Sequence, residues 1–516
     1  MNFTPSDLEH IQSLGLSLET IKKQIKTYKG SPNYINLSAS AKIGNGILKL
    51  SESDWNDFIN YYDDEKNALK VVKFTPASGA ASRMFKLLQE FLSKYDPQKE
   101  TINSYINKNK SVELFLFFVT IEKLPFHDEV VDKMQLMMPD YDLLNLDQKR
   151  LLFVKSILDE DYLNYSNIPK GLLPFHQYQN HTSTAFEEHL FEASKYASVN
   201  GKAQLHFTVS KAHLEQFKTK WAAIQSIVES KTNTKFKISF SCQESNTNVL
   251  AVDLKNQPFR LNDKLFFRPS GHGALIKNLN QIDANIIFIK NIDNVVVDRF
   301  LERISSYKKG LAGVLLKLQC QVFKYAKVLE STEISDVQIV EIVDFLTQKL
   351  NICVSSEFNK YAYKYQIDYL KSKINRPIRV CGMVENEGEP GGGPFWVKAE
   401  NGEISLQIVE ASQVNLKLSR QKTILMNATH FNPVDIVCGI KNYKGETYDL
   451  KQFIDPKTYF ITKKSKYGKQ LKTLEQPGLW NGSMAHWNTV FVEVPIITFN
   501  PVKTVNDLLK FTHQAK

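Results

Sequence analysis

Cysteine is scarce in this chain: Cys242, Cys320, Cys353, Cys381 and Cys438 are scattered through 516 residues with no C-x-x-C pair. Such spacing indicates neither a disulfide framework nor a structural zinc site. No repeat period or low-complexity tract is present, which argues against a solenoid. Long apolar runs are missing as well. Phe115-Leu-Phe-Phe-Val119 is far too short to span a bilayer, and the first residues lack a basic stretch followed by an apolar core. The sequence therefore predicts a reduced, cytoplasmic, soluble protein without a membrane partner. A concentrated basic stripe is also lacking. The formal net charge of +10 comes from dispersed lysines, which suits a small polyanionic substrate and argues against nucleic acid as a partner. Most of these lysines read as solvated surface.

What the chain does have is ordinary globular composition, 42% hydrophobic and 23% charged, at a length that supports more than one structural unit. Residues 1–68 read as a helical N-terminal region, with Ser6-Asp7, Ser17 and Ser53-Asp54 as candidate caps. Residues 69–299 alternate strand-like and helix-like runs. Leu69–Phe74, Ala203–Val209, Phe236–Cys242 and Asn285–Lys290 are the expected strands of a mainly parallel α/β core. Residues 300–375 read as a helical insertion or bridge. Residues 376–516 carry more strands, such as Ile378–Val384 and Phe491–Pro495, and read as the second half of the same architecture.

Chemistry first shows at Ser78-Gly-Ala-Ala-Ser-Arg83, a small-residue loop between a strand and a run of helical spacing (Met84, Phe85, Leu88, Phe91). Ser78, Gly79, Ala80 and Ser82 let backbone N–H groups approach an anion. A helix N-terminus would add its dipole, and Arg83 a permanently charged fork. A plain βα turn is the structural alternative. Four later segments stand in its company. In Pro169-Lys-Gly171, a turn can project Lys170 towards a phosphate, or simply leave it in solvent. In Pro269-Ser-Gly-His-Gly273, Gly271 and Gly273 allow close ligand approach beside His272, which could instead cap a helix. In Asn291-Ile-Asp-Asn294 an apolar strand ends at Asp293, where a carboxylate can hold Mg²⁺ against phosphate oxygens. Glu410, near the end of Leu406–Glu410, can accept hydrogen bonds from sugar hydroxyls. The acidic clusters Asp140-Tyr-Asp142 and Asp159-Glu-Asp161 read as solvated faces rather than a glycosyltransferase metal motif.

In this order, Ser78–Arg83, Pro169–Gly171, Pro269–Gly273, Ile292–Asn294 and Val409–Ser412 resemble the nucleotide-sugar pyrophosphorylases, in particular the UDP-N-acetylhexosamine and UDP-glucose branch. Asn427–Asn432 and Trp487–Val492 are similar to further segments of that branch. Over nearly its full length the chain resembles more closely a bacterial family known only as a domain of unknown function, through Gly391–Trp396 and Pro477–Ala485. Ala80-Ala81 stand where the pyrophosphorylase loop carries glycines, and Ser82 where it carries threonine.

The resemblance implies a Rossmann-like, glycosyltransferase-A-type nucleotidyltransferase fold: a mixed sheet flanked by helices, with a C-terminal α+β part. It implies transfer of a nucleotide, UTP foremost, onto a sugar 1-phosphate with release of pyrophosphate, and Mg²⁺ as cofactor. Within it Arg83 faces the departing pyrophosphate with Lys86 as helper, Lys170 clamps a phosphate, and Asp293 holds the metal. Gln243, Gly271 and His272 face the nucleoside, Glu410 and Asn432 the sugar, and either Lys463 or Lys464 a further phosphate. The alternatives are a protein that binds a phosphorylated ligand without turnover, or a glycosyl- or phosphotransferase on the same fold.

Overall fold

Runs of valine and isoleucine dominate the central strands, as strands covered on both faces require. The computed structural model describes residues 3–30, 33–389, 391–466 and 468–515. It is a mixed α/β protein with a multistranded mixed sheet, and it divides into two compact units, each assembled from three chain segments. One comprises Met1–Phe74, Ser241–Ile289 and Tyr307–Ile496; the other comprises Thr75–Phe240, Lys290–Ser306 and Ile497–Lys516. The four consecutive regions expected from sequence are therefore not the units that the contacts define.

In the first unit the strand Asp435–Gly439 runs antiparallel to both Ile286–Ile289 and Ile378–Met383. Ile286–Ile289 is parallel to Val71–Pro76, with Ile286 opposite Val71 and Ile289 opposite Phe74. Ile378–Met383 is parallel to Asn488–Glu493, which is parallel to Gly46–Leu48. The sheet is thus mixed, as the family resemblance implied, where strand–helix alternation alone read as mainly parallel. The reason is Asp435–Gly439, an apolar run whose direction no local signal reveals. Phe74, Ile287, Cys381, Cys438 and Phe491 form its core with Leu479 and Met484. Behind it, Leu37–Ser40, Gly392–Lys398 and Ile404–Glu410 form a three-stranded antiparallel sheet.

Those pairings correct the reading of residues 1–68 as helical. Leu37–Ser40 and Gly46–Leu48 are strands, stabilised by partners more than 350 residues away in sequence. The helices Pro5–Ser13, Leu18–Lys29 and Glu52–Glu65 do form, but the first and third are capped two residues earlier than expected, by Thr4 and Ser51. Each completes a capping box with an aspartate, Asp7 and Asp54. The 300–375 region contains the helices Leu301–Val328, Asp336–Gln348 and Tyr363–Ile374.

In the second unit Lys202–Val209 pairs with Lys235–Cys242 and with Ser198–Val199. The helix Ala185–Tyr196 is buried along nearly its whole length, including Glu187, Glu188, His189 and Glu192. Burial of so many ionisable groups demands partners, and these shape the site described next.

Candidate functional site

The Ser78–Arg83 loop and the Pro169-Lys-Gly171 turn meet along their backbones. Lys170 N–H donates to the Gly79 carbonyl at 3.1 Å, and Ala81 N–H to the Ile168 carbonyl at 3.0 Å. Ala80 and Pro169 form an isolated antiparallel bridge. Segments 90 residues apart are thereby zipped together by backbone groups that side-chain patterns do not report. Gly171 is buried, and a Cβ there would lie 3.0 Å from the Phe217 ring and 3.1 Å from Ile292 Cγ1. Its bare backbone lets the turn sit directly against the segment bearing Asp293.

Lys170 Nζ then reaches Asp293 Oδ2 at 2.8 Å and the Val502 carbonyl at 2.5 Å. Lys170 and Asp293 retain 14% and 21% side-chain exposure, so the pair is largely but not wholly withdrawn from water. The Asp293 segment is held from two sides. Within the helix Ala185–Tyr196, Glu192 pairs with Lys290 at 2.8 Å and His189 meets the Ile292 carbonyl at 3.1 Å. From the C-terminal segment, Val502 N–H donates to the Asp293 carbonyl at 3.1 Å. Asn500 N–H donates to Asn294 Oδ1 at 2.7 Å, while Asn294 Nδ2 donates to the Thr498 carbonyl at 3.2 Å. Farther along that segment His513 contacts the Asn500 carbonyl at 3.1 Å and His176 at 2.9 Å, and His176 lies 2.9 Å from Glu188. Burial, with the His176 imidazole second, pushes His513 down to about 3.

The loop differs in one respect from expectation. Ala81–Arg83 form a short 3₁₀ turn, and the α-helix begins only at Lys86. Phe85, in a bridge-like conformation, separates the two. The N–H groups at 78–80 therefore do not sit on an α-helix N-terminus, and the dipole contribution expected there falls away. Ser78, Gly79, Ala80, Ser82 and Arg83 are exposed. Lys86 is also exposed and pairs along its helix with Glu90 at 3.5 Å.

The remaining candidates belong to the first unit and fall into three groups. Gly271 and Gly273 flank His272, which opens the 3₁₀ turn His272–Leu275. His272 Nδ1 accepts from Leu479 N–H at 2.9 Å, and its ring stacks on Trp480 with centroids 4.3 Å apart. Burial pushes His272 down to about 4, so the ring is neutral near pH 7. Gln243 Nε2 donates to Thr247 Oγ1 at 2.9 Å. In the second group Asn432 Nδ2 donates to Glu410 Oε1 at 3.3 Å. Burial raises the Glu410 carboxyl, while the Asn432 and Asn481 side chains oppose the shift. Asn432 Oδ1 is buried without a partner. A Cβ on Gly392 would stand 2.8 Å from that oxygen and 2.5 Å from the Val409 carbonyl. Lys463 and Lys464 lie on the hairpin strand Phe460–Lys466, Lys464 being 3.8 Å from Glu475.

Sequence reasoning did not find the Val502 carbonyl, the Asn294–Asn500 clasp or the Trp480 stack. A main-chain carbonyl carries no sequence signature. Asn-Pro in Phe499-Asn-Pro-Val502 was the only cue to a sharp, backbone-presenting turn. Among the described residues no three His, Cys, Asp or Glu side chains gather to hold a metal ion, and no helix is long and apolar enough to cross a membrane.

The structure is similar to that of UDP-N-acetylglucosamine pyrophosphorylase from Trypanosoma brucei, with 11% identity, a TM-score of 0.48 and coverage of 95% of this chain and 74% of that one. It is also similar to a mutant UDP-glucose pyrophosphorylase from Leishmania major in complex with UDP-glucose, with 10% identity, a TM-score of 0.42 and coverage of 98% and 79%. No curated protein matches the chain significantly. Residues 4–514 match the family described as Domain of unknown function (DUF4301), and the chain belongs to that family.

Proposed function

We propose that the protein is a sugar-1-phosphate nucleotidyltransferase, joining a nucleoside triphosphate, UTP foremost, to a sugar 1-phosphate. The observation that carries this reading is the junction in one unit of the small-residue loop, Lys170 and Asp293, through the Gly79–Lys170 backbone bond and the Lys170–Asp293 pair. An exposed loop of free N–H groups, a cation and a carboxylate are the parts that phosphoryl transfer needs.

In the reaction an oxygen of the sugar phosphate attacks the α-phosphorus, the bond to the bridging oxygen breaks, and pyrophosphate leaves. The nucleophile is already anionic at neutral pH, so positioning and charge neutralisation supply the rate. Arg83 neutralises the pyrophosphate with Lys86 beside it, and Ser78, Gly79, Ala80 and Ser82 line its oxygens. Lys170 draws a phosphate oxygen into the position that Asp293 now shares. Asp293 fits magnesium as a lone carboxylate, with Lys170 engaging only Oδ2; Mg²⁺ characteristically takes one or two carboxylates and completes its shell with phosphates and water. Bound there, the ion would supply charge neutralisation. By the family resemblance, Gln243, Gly271, His272 and Gly273 are proposed for the nucleoside, and Glu410 and Asn432 for sugar hydroxyls.

The test is pyrophosphate release from a panel of nucleoside triphosphates and sugar 1-phosphates with Mg²⁺, for the wild type and Asp293→Ala. Turnover of at least one pair and its loss in the variant are expected. Tight binding of a nucleotide-sugar with no release across the panel would favour a non-catalytic binding protein, the reading that Ala80-Ala81 motivates, since each Cβ restricts how closely backbone and phosphate approach.

A further inference from the structure

The helix Val112–Val119 reads Val-Glu-Leu-Phe-Leu-Phe-Phe-Val, with Glu113 its only polar residue. A helix that is apolar all round belongs in an interior. This one, in the second unit, is covered on one side only. Leu114, Phe117 and Phe118 are buried. Phe117 meets Phe153 with ring centroids 6.5 Å apart, and Phe118 meets Phe91 at 5.6 Å. The other side is open to water: Val112 is 75% exposed, Phe115 54%, Leu116 43% and Val119 60%.

Their spacing of i, i+3, i+4 and i+7 makes these four residues one continuous stripe. Exposed apolar side chains scattered singly call for no explanation, but a contiguous patch marks a contact surface. The helix is also anchored, since the Asn506 side-chain amide donates to the Glu113 carbonyl at 2.8 Å. The stripe is thus presented on a fixed element.

Two features identify what covers it. The first is order. Val112, Phe115, Leu116 and Val119 read nearly alike in both directions, small at the ends and bulky in the middle. A two-fold axis between Phe115 and Leu116 sets Val112 against Val119 of an antiparallel copy, and Phe115 against Leu116, each contact occurring twice. The second is area. At these exposures the stripe offers on the order of 400 Å² of apolar surface, within the range of about 300–600 Å² of the largest patches on monomers. One side of a standard interface buries about 800 Å², of which roughly 450–520 Å² is non-polar. The stripe supplies most of that apolar share, and an identical stripe supplies the other half.

We propose that the protein is a two-fold symmetric homodimer joined through antiparallel packing of Val112–Val119 against its copy.

The test is sedimentation velocity of the full chain over a dilution series. The wild type should sediment as a dimer. Phe115→Asp and Leu116→Lys, each occurring twice across the axis, should each weaken dimerisation by about a hundredfold or more. Mixed in equal amounts, the two variants should pair about tenfold or more tightly than either does alone, because the carboxylate of one faces the ammonium of the other. Recovery on mixing also excludes misfolding of either variant. Val337→Asp, at a 68% exposed valine on the helix Asp336–Gln348, should leave the dimer intact. A monomeric wild type overturns the proposal. So does a monomer that binds vesicles of anionic phospholipid, which would make the stripe a membrane-surface helix. A dimer untouched by Phe115→Asp, one broken equally by Val337→Asp, or failure to recover on mixing overturns it as well.

Discussion

Replacing Lys170 with methionine keeps the stem and removes the ammonium from Asp293 Oδ2 and the Val502 carbonyl. Breaking a fully buried ion pair costs about 3–5 kcal/mol, and an exposed one under about 1 kcal/mol. At 14% and 21% exposure this pair lies between those limits but nearer the buried one, so Lys170→Met should destabilise by about 2–3 kcal/mol. Asp293→Asn retains an acceptor while removing the charge and should cost about 1–2 kcal/mol. In the double variant no charge is left unpaired, and only the Val502 carbonyl still lacks its donor. The double variant's penalty should fall short of the sum by about 1–2 kcal/mol, the coupling expected of groups in contact. Urea unfolding of the four proteins gives this cycle, and pyrophosphate titration gives the functional counterpart. Lys170→Met should bind pyrophosphate about tenfold or more weakly. Strictly additive penalties, or pyrophosphate affinity untouched by Lys170→Met, would refute the placement of Lys170 as the cation shared between protein and phosphate.

Gly392→Ala should destabilise by about 1–3 kcal/mol, because the new Cβ meets the Val409 carbonyl, which belongs to a paired strand and cannot swing aside; an unchanged urea midpoint would contradict it. His513 gives a pH signature. The unfolded chain takes up a proton as pH falls through about 6.5, but the folded ring resists until about 3. Stability is therefore fully present above the unfolded value and drains away as pH falls between them, with a slope approaching about 1.4 kcal/mol per pH unit. His513→Gln should flatten that slope, as read from urea midpoints at pH 7, 6, 5 and 4.

The strands Val71–Pro76, Lys202–Val209, Ile286–Ile289 and Ile378–Met383 were legible because each is a short apolar run bounded by breakers. Leu37–Ser40 was not, because its small polar residues become a strand only against Phe395 and Trp396. The direction of Asp435–Gly439, and so the mixed character of the sheet, depends on distant pairing in the same way. At the site, residue types pointed to Lys170 and Asp293, and the fold joins them. The 3₁₀ turn at Ala81–Arg83 escaped notice because Met84, Phe85 and Leu88 repeat with helical spacing whether or not the first turn is α-helical. Val502 escaped because it contributes only main-chain atoms.

Val502 also imposes an order in time. It lies 332 residues after Lys170. At ribosomal rates of about 5–20 residues per second, the lysine is made roughly 15–65 s before the carbonyl that steadies it exists. During that interval Ile497–Lys516 is missing from its unit, and the Asp293 segment lacks its clasp from Asn500 and Val502. A nascent chain arrested between Asp293 and Val502 holds its loop, lysine and aspartate without their final tether, so the Lys170–Asp293 junction is completed only once Val502 has been made.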